Sequence, residues 1–415
     1  HAPADYQDGT GVPGPYTHDY YDKNGTRLGR FVLTITPPIL GSTIVTIRST
    51  GELDYAPTVQ RTLEVKMGVP SFARFAAVLN ADVRFGACTQ VFGAIHSYGG
   101  IRFDGIANNL VTSALSTYDD LDHSGANEFG VHTHVAPTDP FPPAVVPNRT
   151  DVFRAGRTFP VPAVDFTSIT QNLSQIRADA QASGFYRGPS GAGNFGYDVF
   201  FAANNTFDAY RVTALVPPPS GCTSSGQDGW GTWSVQSRVL LGNYPVPANG
   251  LLFFEDDVWV RGQVSGTRVT LASARFPDNP SMRSSITIAN DLLYTNYNGN
   301  DNIGLIAQKN INIGMVSQDV LRVDAALIAQ NGRVGRYYYY APGGGSQRCS
   351  PYHARNTITS YGMIGSSQRY GFAYTDGTGY QTRNLTYDGN LLYGPPPSFP
   401  LTTDKYQVIS WKEVP

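Results

Sequence analysis

The chain has 415 residues, is 41% hydrophobic, and carries 30 basic against 32 acidic side chains for a formal net charge of −2. No basic surplus is available to neutralise phosphates, which excludes nucleic acid and anionic membrane surfaces as principal partners. At about 150 residues per domain the length asks for two or three units unless a solenoid draws one of them out, and 44 Gly with 29 Pro predict many turns and little helix.

Residues 1–30 are polar, with Gly, Pro and Tyr, and read as an extended arm. Residues 31–248 read as a β-rich region. Strands are predicted at 31–35, 43–51 and 63–67, the last alternating with period two and so having one buried and one wet face. A short helix is predicted over 70–80, with Phe72, Phe75, Ala76 and Leu79 on one face. From Val83 to Ala114 a string of Gly-punctuated short strands, including 91–96 and 100–105, reads as turns of a coil. Between 118 and 162, Pro137, Pro140, Pro142, Pro143, Pro147, Pro160 and Pro162 forbid a regular ladder. The best helix covers 165–183: Thr167 or Ser168 caps it, Ile169, Leu173, Ile176 and Ala180 form its stripe, and Gly184 stops it. Residues 194–216 predict a hairpin around Asn204-Asn205, residues 217–221 a rigid connector, and residues 233–241 a further strand.

Residues 249–415 carry internal repetition. Leu-Ile-Ala-Gln occurs at 305–308 and again at 327–330, an offset of 22 residues, and TIANDLLY at 287–294 echoes TYDGNLLY at 386–393. Repetition on this scale marks stacked supersecondary units, and the units here are short, apolar and β-prone. Leu321, Val323, Ala325 and Leu327 share one face, leaving Arg322 and Asp324 to point away. The expected fold is therefore mainly β: a parallel β-helix (solenoid) over 249–415, preceded by a β-rich part with few short helices. A last strand over 405–411 reads as its end cap.

The low charge, with abundant Tyr, Asn and Gly, reads as extracellular. Cys88, Cys222 and Cys349 allow three pairings in an oxidising compartment. Cys222 with Cys349 is preferred because both lie in loops rich in Gly, Ser and Pro, while Cys88 sits in a strand-like run and reads as buried. Sequons begin at Asn24, Asn148, Asn172, Asn204 and Asn384 as candidate glycosylation sites. No run approaches about 18 apolar residues, and His1 is no initiator, so a processed chain or part of a longer one is expected.

Several segments are similar to large minor-pilin-like surface proteins associated with type IV pili. They are Phe254-Glu255-Asp256-Asp257-Val258-Trp259-Val260-Arg261-Gly262 with its continuation to Gly266, the stretch 93–101, Gly304-Leu305-Ile306-Ala307-Gln308, and Ile47-Arg48-Ser49-Thr50-Gly51. The resemblance implies a pilin-like N-terminal part leading into a β-helix, with display on a cell surface or pilus, filament assembly or adhesion. It also implies identical copies or other pilin subunits as partners. The prepilin cleavage site and hydrophobic helix of such proteins are missing here, so a removed segment or a partner chain carrying the pilin helix is expected to supply them. The resemblance brings no catalytic residues.

Constellations that carry chemistry are few. Glu255, Asp256 and Asp257 resemble the wall carboxylates of a polysaccharide lyase or hydrolase, with outward turn acids as the alternative. Asn298, Asn300 and Asp301 form one oxygen-rich loop and 376–379 another; no cofactor is expected, and structural calcium at either loop is the one metal option. His132 and His134, two apart after His123, begin a zinc-like set without a third ligand at recognisable spacing. Tyr337, Tyr338, Tyr339 and Tyr340 form a candidate surface for protein or glycan recognition, or pack beneath the loop at Pro342. The expected function is a non-enzymatic structural subunit or displayed adhesive domain of an extracellular filament. The alternative is an enzyme or carbohydrate-binding protein on the same scaffold.

Overall fold

The computed structural model describes residues 6–38, 42–163, 172–231, 233–401 and 405–414. The chain is mainly β, with few helices: Asn172–Ser183 and short 3₁₀ turns at Phe72–Arg74, Pro280–Met282 and Gly389–Leu392. Among the described residues no helix is long and apolar enough to cross a membrane. Two compact units form, one of His1–Ser71 with Leu392–Pro395 and Leu401–Pro415, the other of Phe72–Leu391 with Pro396–Pro400.

The first unit is a five-stranded antiparallel sheet in the order Tyr16–Tyr21, Arg27–Thr36, Val45–Leu53, Ala56–Gly68, Gln407–Val414. Two expectations change here. Much of the predicted arm over 1–30 is a β-hairpin, whose turn forms because the Asp22 carboxylate accepts the amides of Asn24 and Thr26 at 2.8 Å each. Its polar residues are strand residues of a sheet that pairs charges across strands, such as Arg48 with Glu64 at 2.8 Å and Arg61 with Glu413 at 2.8 Å. The last strand caps no coil; it pairs with Ala56–Gly68, Trp411 opposite Val65.

The second unit is dominated by parallel pairing. One ladder runs in chain order through Phe185–Arg187, Leu251–Phe254, Arg268–Ser273, Asn302–Ala307, Val320–Ala329 and Ala354–Ser366. It then passes to earlier sequence: Ile364 lies beside Ala77, and Ala77–Leu79 is followed by Ile95–Ser97, Val111–Ser113 and Arg157–Thr158. Phe185, Leu252, Leu271, Leu305, Leu327, Ile364, Ala77, Ile95 and Val111 therefore form one aligned file. A second file aligns Tyr197, Val258, Ile286, Ile311 and Val334. A third aligns Leu292, Val323, Ser360, Leu385, Val91 and Ala107. The two Leu-Ile-Ala-Gln copies lie directly on one another, with Leu305 beside Leu327, Ile306 beside Ile328 and Ala307 beside Ala329.

The strands alternate between two cores. Leu252, Phe254, Leu305, Ala307, Leu327 and Ala329 point into the large interior cluster. Leu251, Phe253, Ile306 and Ile328 point the other way, where Leu173, Ile176 and Ala180 of helix Asn172–Ser183 cover them. That cover is why Leu251–Phe254 reads as a continuous apolar run rather than an alternating one.

Several local expectations change. Within 70–80, only Phe72–Arg74 is helical and Ala77–Leu79 is a strand, because its backbone completes the ladder between Ile364 and Ile95. Strands within 83–114 do pair in parallel, but next to residues 379–387 and 77–79 rather than ahead of 249. The TIANDLLY echo is not structural: Ile286–Tyr294 is strand throughout, while 386–393 ends its strand at Tyr387 and turns into Gly389–Leu392. Asp324 points away from the interior yet is fully buried, because Tyr297 donates to it at 2.6 Å and Arg322 covers it at 2.8 Å. The predicted caps Thr167 and Ser168, with Ile169, lie outside the described residues.

Candidate functional site

On the covered side of the second file, Asp198, Trp259, Thr287 and Asn312 stand side by side across four parallel strands. The adjoining strand Val235–Pro245 runs antiparallel to Thr206–Leu215 and brings Gln236 and Arg238 over this row. Asp198, Trp259, Thr287, Gln236 and Arg238 line an opening of about 290 Å³ with Ser234, Arg261 and Asn290, and Asn312 lies next along the row outside it. Asp198 is 3% exposed and forms ion pairs with Arg238 and, at 3.2 Å, with Arg261. Two guanidinium groups thus share one carboxylate, leaving a net positive charge at the wall. Burial lowers the pKa of both, and Arg261 lowers that of Arg238 further; both stay cationic at neutral pH. Arg238 lies 3.9 Å from the Tyr210 ring centroid, and the Trp259 indole donates to the Trp233 carbonyl at 3.0 Å. Ser234 Oγ and Asn312 Oδ1 are buried and make no hydrogen bond among the described residues. Amide, hydroxyl and guanidinium groups around a small opening suit a hydroxyl-rich or carboxylate-bearing ligand.

Sequence reasoning missed this groove. Trp259 and Arg261 were visible only as part of a family-like pattern, and Asp198, Thr287 and Arg238 come from segments that only strand register unites, parallel for the first two and antiparallel for Arg238.

The tyrosine run divides in two. Tyr337 and Tyr339 are 2% and 1% exposed, so they offer no recognition surface. Their hydroxyls donate inward, Tyr337 to the Asp228 carbonyl at 3.0 Å and Tyr339 to the Gly231 carbonyl at 2.8 Å. Tyr338 and Tyr340 are half-buried, and Tyr338 donates to Asp376 at 2.6 Å. The preceding Arg336 is wholly buried; it donates to the carbonyls of Gly314, Met315 and Tyr352 and lies 4.8 Å from the Tyr339 ring. The Cys222–Cys349 disulfide closes this cluster, with Cα atoms 4.6 Å apart. Cys88 is exposed and unpaired among the described residues. It occupies a turn with φ +61 rather than a buried strand position.

The acidic residues act as braces. Asp256 accepts the Ser190 amide at 2.9 Å and hydroxyl at 2.6 Å, and pairs with Arg275. Burial raises its pKa, but these bonds outweigh it and the net shift is downward. Asp257 accepts the Ser285 amide at 2.7 Å and Arg275 at 3.2 Å; desolvation nevertheless raises its pKa. Glu255 pairs with Arg177. In the proposed calcium loops the carboxylates are already taken. Asp301 accepts the amides of Gly266, Thr267, Thr295 and Asn296, and Asp376 accepts from Thr378 and Tyr338. Turn chemistry accounts for both loops.

Asn24, Asn148 and Asn204 are exposed and Asn384 is half-buried in its strand; the Asn172 side chain lies outside the described residues. His123, His132 and His134, for which the sequence offered no third ligand, come together with Glu128 and Asp120. Those carboxylates were missed because their spacing follows a loop rather than a helix or strand period.

No family model and no curated protein matches the chain. Among solved structures, the competence-associated pilin ComZ from Thermus thermophilus is similar over 96% of this chain and 86% of its own, at 14% identity and a TM-score of 0.33. That similarity carries no argument about fold or role, and the pilin kinship read from the residue patterns goes forward as a proposal.

Proposed function

We propose that Phe72–Leu391 is a parallel β-helix and that the protein is a structural subunit or displayed adhesive domain of an extracellular type IV pilus or similar surface filament. On this reading it is not an enzyme. The observation that carries the reading is the unbroken parallel register, from Phe185 through Leu327 to Val111, around an apolar interior. Each strand spends its backbone groups on its neighbours, and the product is a stiff wall rather than a flexible cleft. The buried Cys222–Cys349 bridge supports an oxidising compartment, and the low charge supports exposure to solvent without nucleic acid. Identical copies or other pilin subunits are the partners this role calls for, and a chain carrying a hydrophobic helix would anchor it.

The test is immunogold labelling of intact source cells and of sheared surface fibres, with mass spectrometry of the fibre-associated chain. Labelling along fibres is expected. Recovery of the chain only from the cytosol, with all three cysteines reduced, would overturn the proposal.

A carbohydrate-binding role on the same scaffold is favoured by one feature, the groove with Asp198 between Arg238 and Arg261 and with Ser234 Oγ making no hydrogen bond among the described residues. Screening on a glycan array, with Arg261→Ala as control, tests it. Binding to acidic glycans that the substitution abolishes supports this reading, and an empty array removes it.

A further inference from the structure

The segment 117–134 folds back on itself and gathers five potential metal ligands. Thr117–Tyr118 pairs antiparallel with Glu128–Phe129, and Val131–His132 runs parallel to Ile101–Phe103. The turn between them is pinned where the Asp120 carbonyl accepts the His123 amide at 2.8 Å. The Asp104 carboxylate holds the His134 amide at 3.0 Å. His123, Glu128 and His134 each offer an atom within 4.8 Å of the others, and so do Asp120, His132 and His134. His134 belongs to both sets.

The spacing is that of a coordination sphere. With bonds of about 2.0–2.1 Å, a tetrahedral centre holds its donors roughly 3.3 Å apart. His123 Nδ1 lies 3.1 Å from Glu128 Oε1, and His134 Nε2 lies 3.3 Å from the same oxygen. Hydrogen bonds alone would explain those two distances. They do not explain His132, which is 0% exposed and whose ring nitrogens make no well-formed hydrogen bond among the described residues, a weak approach to the Phe129 backbone apart. Its ring lies 5.0 Å from that of His134, and its Nε2 stands 3.6 Å from Asp120 Oδ2. A buried imidazole so poorly satisfied, beside His134 and Asp120, is costly. Asp120 is also 3.5 Å from Arg102, so it suits the outer role of orienting His132 better than direct ligation.

We propose that His123, Glu128 and His134 bind a zinc-class divalent transition metal with one coordination position open, and that the buried His132 and Asp120 stand behind His134 and hold it in place. Imidazole donors favour zinc, cobalt, nickel or copper and disfavour calcium, whose ligands are oxygens. The bound ion would staple the exposed turn 119–127 to the strands on either side.

The test is titration of the purified full chain with Co²⁺, followed by visible absorption, and with Zn²⁺ by calorimetry. One equivalent and a tetrahedral cobalt spectrum are expected. His134→Gln should abolish the spectrum. His123→Ala, on the exposed turn and so harmless to folding, should weaken Zn²⁺ binding at least tenfold. Zn²⁺ should also protect residues 119–127 from limited proteolysis in the wild type and not in His123→Ala. Absence of a cobalt spectrum in the wild type, or equal Zn²⁺ affinity in wild type and His123→Ala, overturns the proposal.

Discussion

Leu327→Ala tests the alternation on which the interior depends. Leu327 is 1% exposed and lies between Leu305 and Ile364 in the first file. Truncation removes three carbon groups, worth about 2.4 kcal/mol in transfer free energy. The cavity left behind adds to this, because backbone ladders on both sides keep the neighbouring strands from closing in, and the total comes to roughly 3–5 kcal/mol. Val320, on the same strand but 64% exposed, provides the control; Val320→Ala should stay within about 0.5 kcal/mol. Urea unfolding of both variants, followed by far-UV circular dichroism and tryptophan fluorescence, measures the difference. Equal midpoints for the two variants would refute the assignment of inner and outer faces.

Other consequences follow from single features. The Cys222–Cys349 bridge spans 127 residues, so loop-closure entropy gives it about 5 kcal/mol at most; a thermal melt with and without reductant should show a large loss of stability. Gly362 has φ +143, and an added Cβ would stand 2.1 Å from the Ala325 carbonyl oxygen. Gly362→Ala should therefore cost more than about 2 kcal/mol, well above Gly371→Ala, where φ is not positive and the added Cβ meets nothing within 4 Å. His96 is buried between Phe75 and Tyr98 and bonds Thr112 at 3.0 Å. Burial, then the Arg74 charge, lowers its pKa from 6.5 to about 4. Between those values the unfolded chain holds the extra proton, so this contribution is intact above about pH 6.5. It is lost as pH falls toward 4, by about 3 kcal/mol in all. His96→Gln should flatten that acid limb in pH-dependent denaturation.

Legibility in the sequence followed locality. The Leu-Ile-Ala-Gln copies and the file of Leu321, Val323, Ala325 and Leu327 were readable, because a stacked strand writes its inner face as a period of two and its neighbour as a repeat. The hairpin over 16–36 was not, because its residues pair charges and hydroxyls rather than bury apolar ones, and such a strand looks like a tail. Residues 77–79 looked helical because Phe72, Phe75, Ala76 and Leu79 would share one helical face, but a 3₁₀ turn followed by a strand buries Phe72, Ala76 and Leu79 as well as a helix would. The groove at Asp198 was illegible for a different reason, and at His134 only the three histidines could be read, not Glu128 or Asp120. Their members are brought together by register and by loop geometry, and neither leaves a spacing in the chain.

The seam between Ala354–Ser366 and Ala77–Leu79 separates this chain from an ordinary linear stack. Most repeat arrays add each unit beside the one before it. Here strands made early meet strands made late, at Ile364 with Ala77 and again at Leu385 with Val91. The small sheet closes the same way, through Gln407–Val414 against Ala56–Gly68. Each unit therefore joins an N-terminal to a C-terminal part of the chain through backbone hydrogen bonds and buried apolar contact. Residues 1–163 and 172–415, produced as separate chains, should then associate when co-expressed, with a tag on one retaining the other. The seam substitution Ile364→Asp should prevent this, because it puts a carboxylate into the file between Leu327 and Ala77. Fragments that purify apart as folded, stable species would show that the seam contributes nothing, and the ladder across it would have to be abandoned.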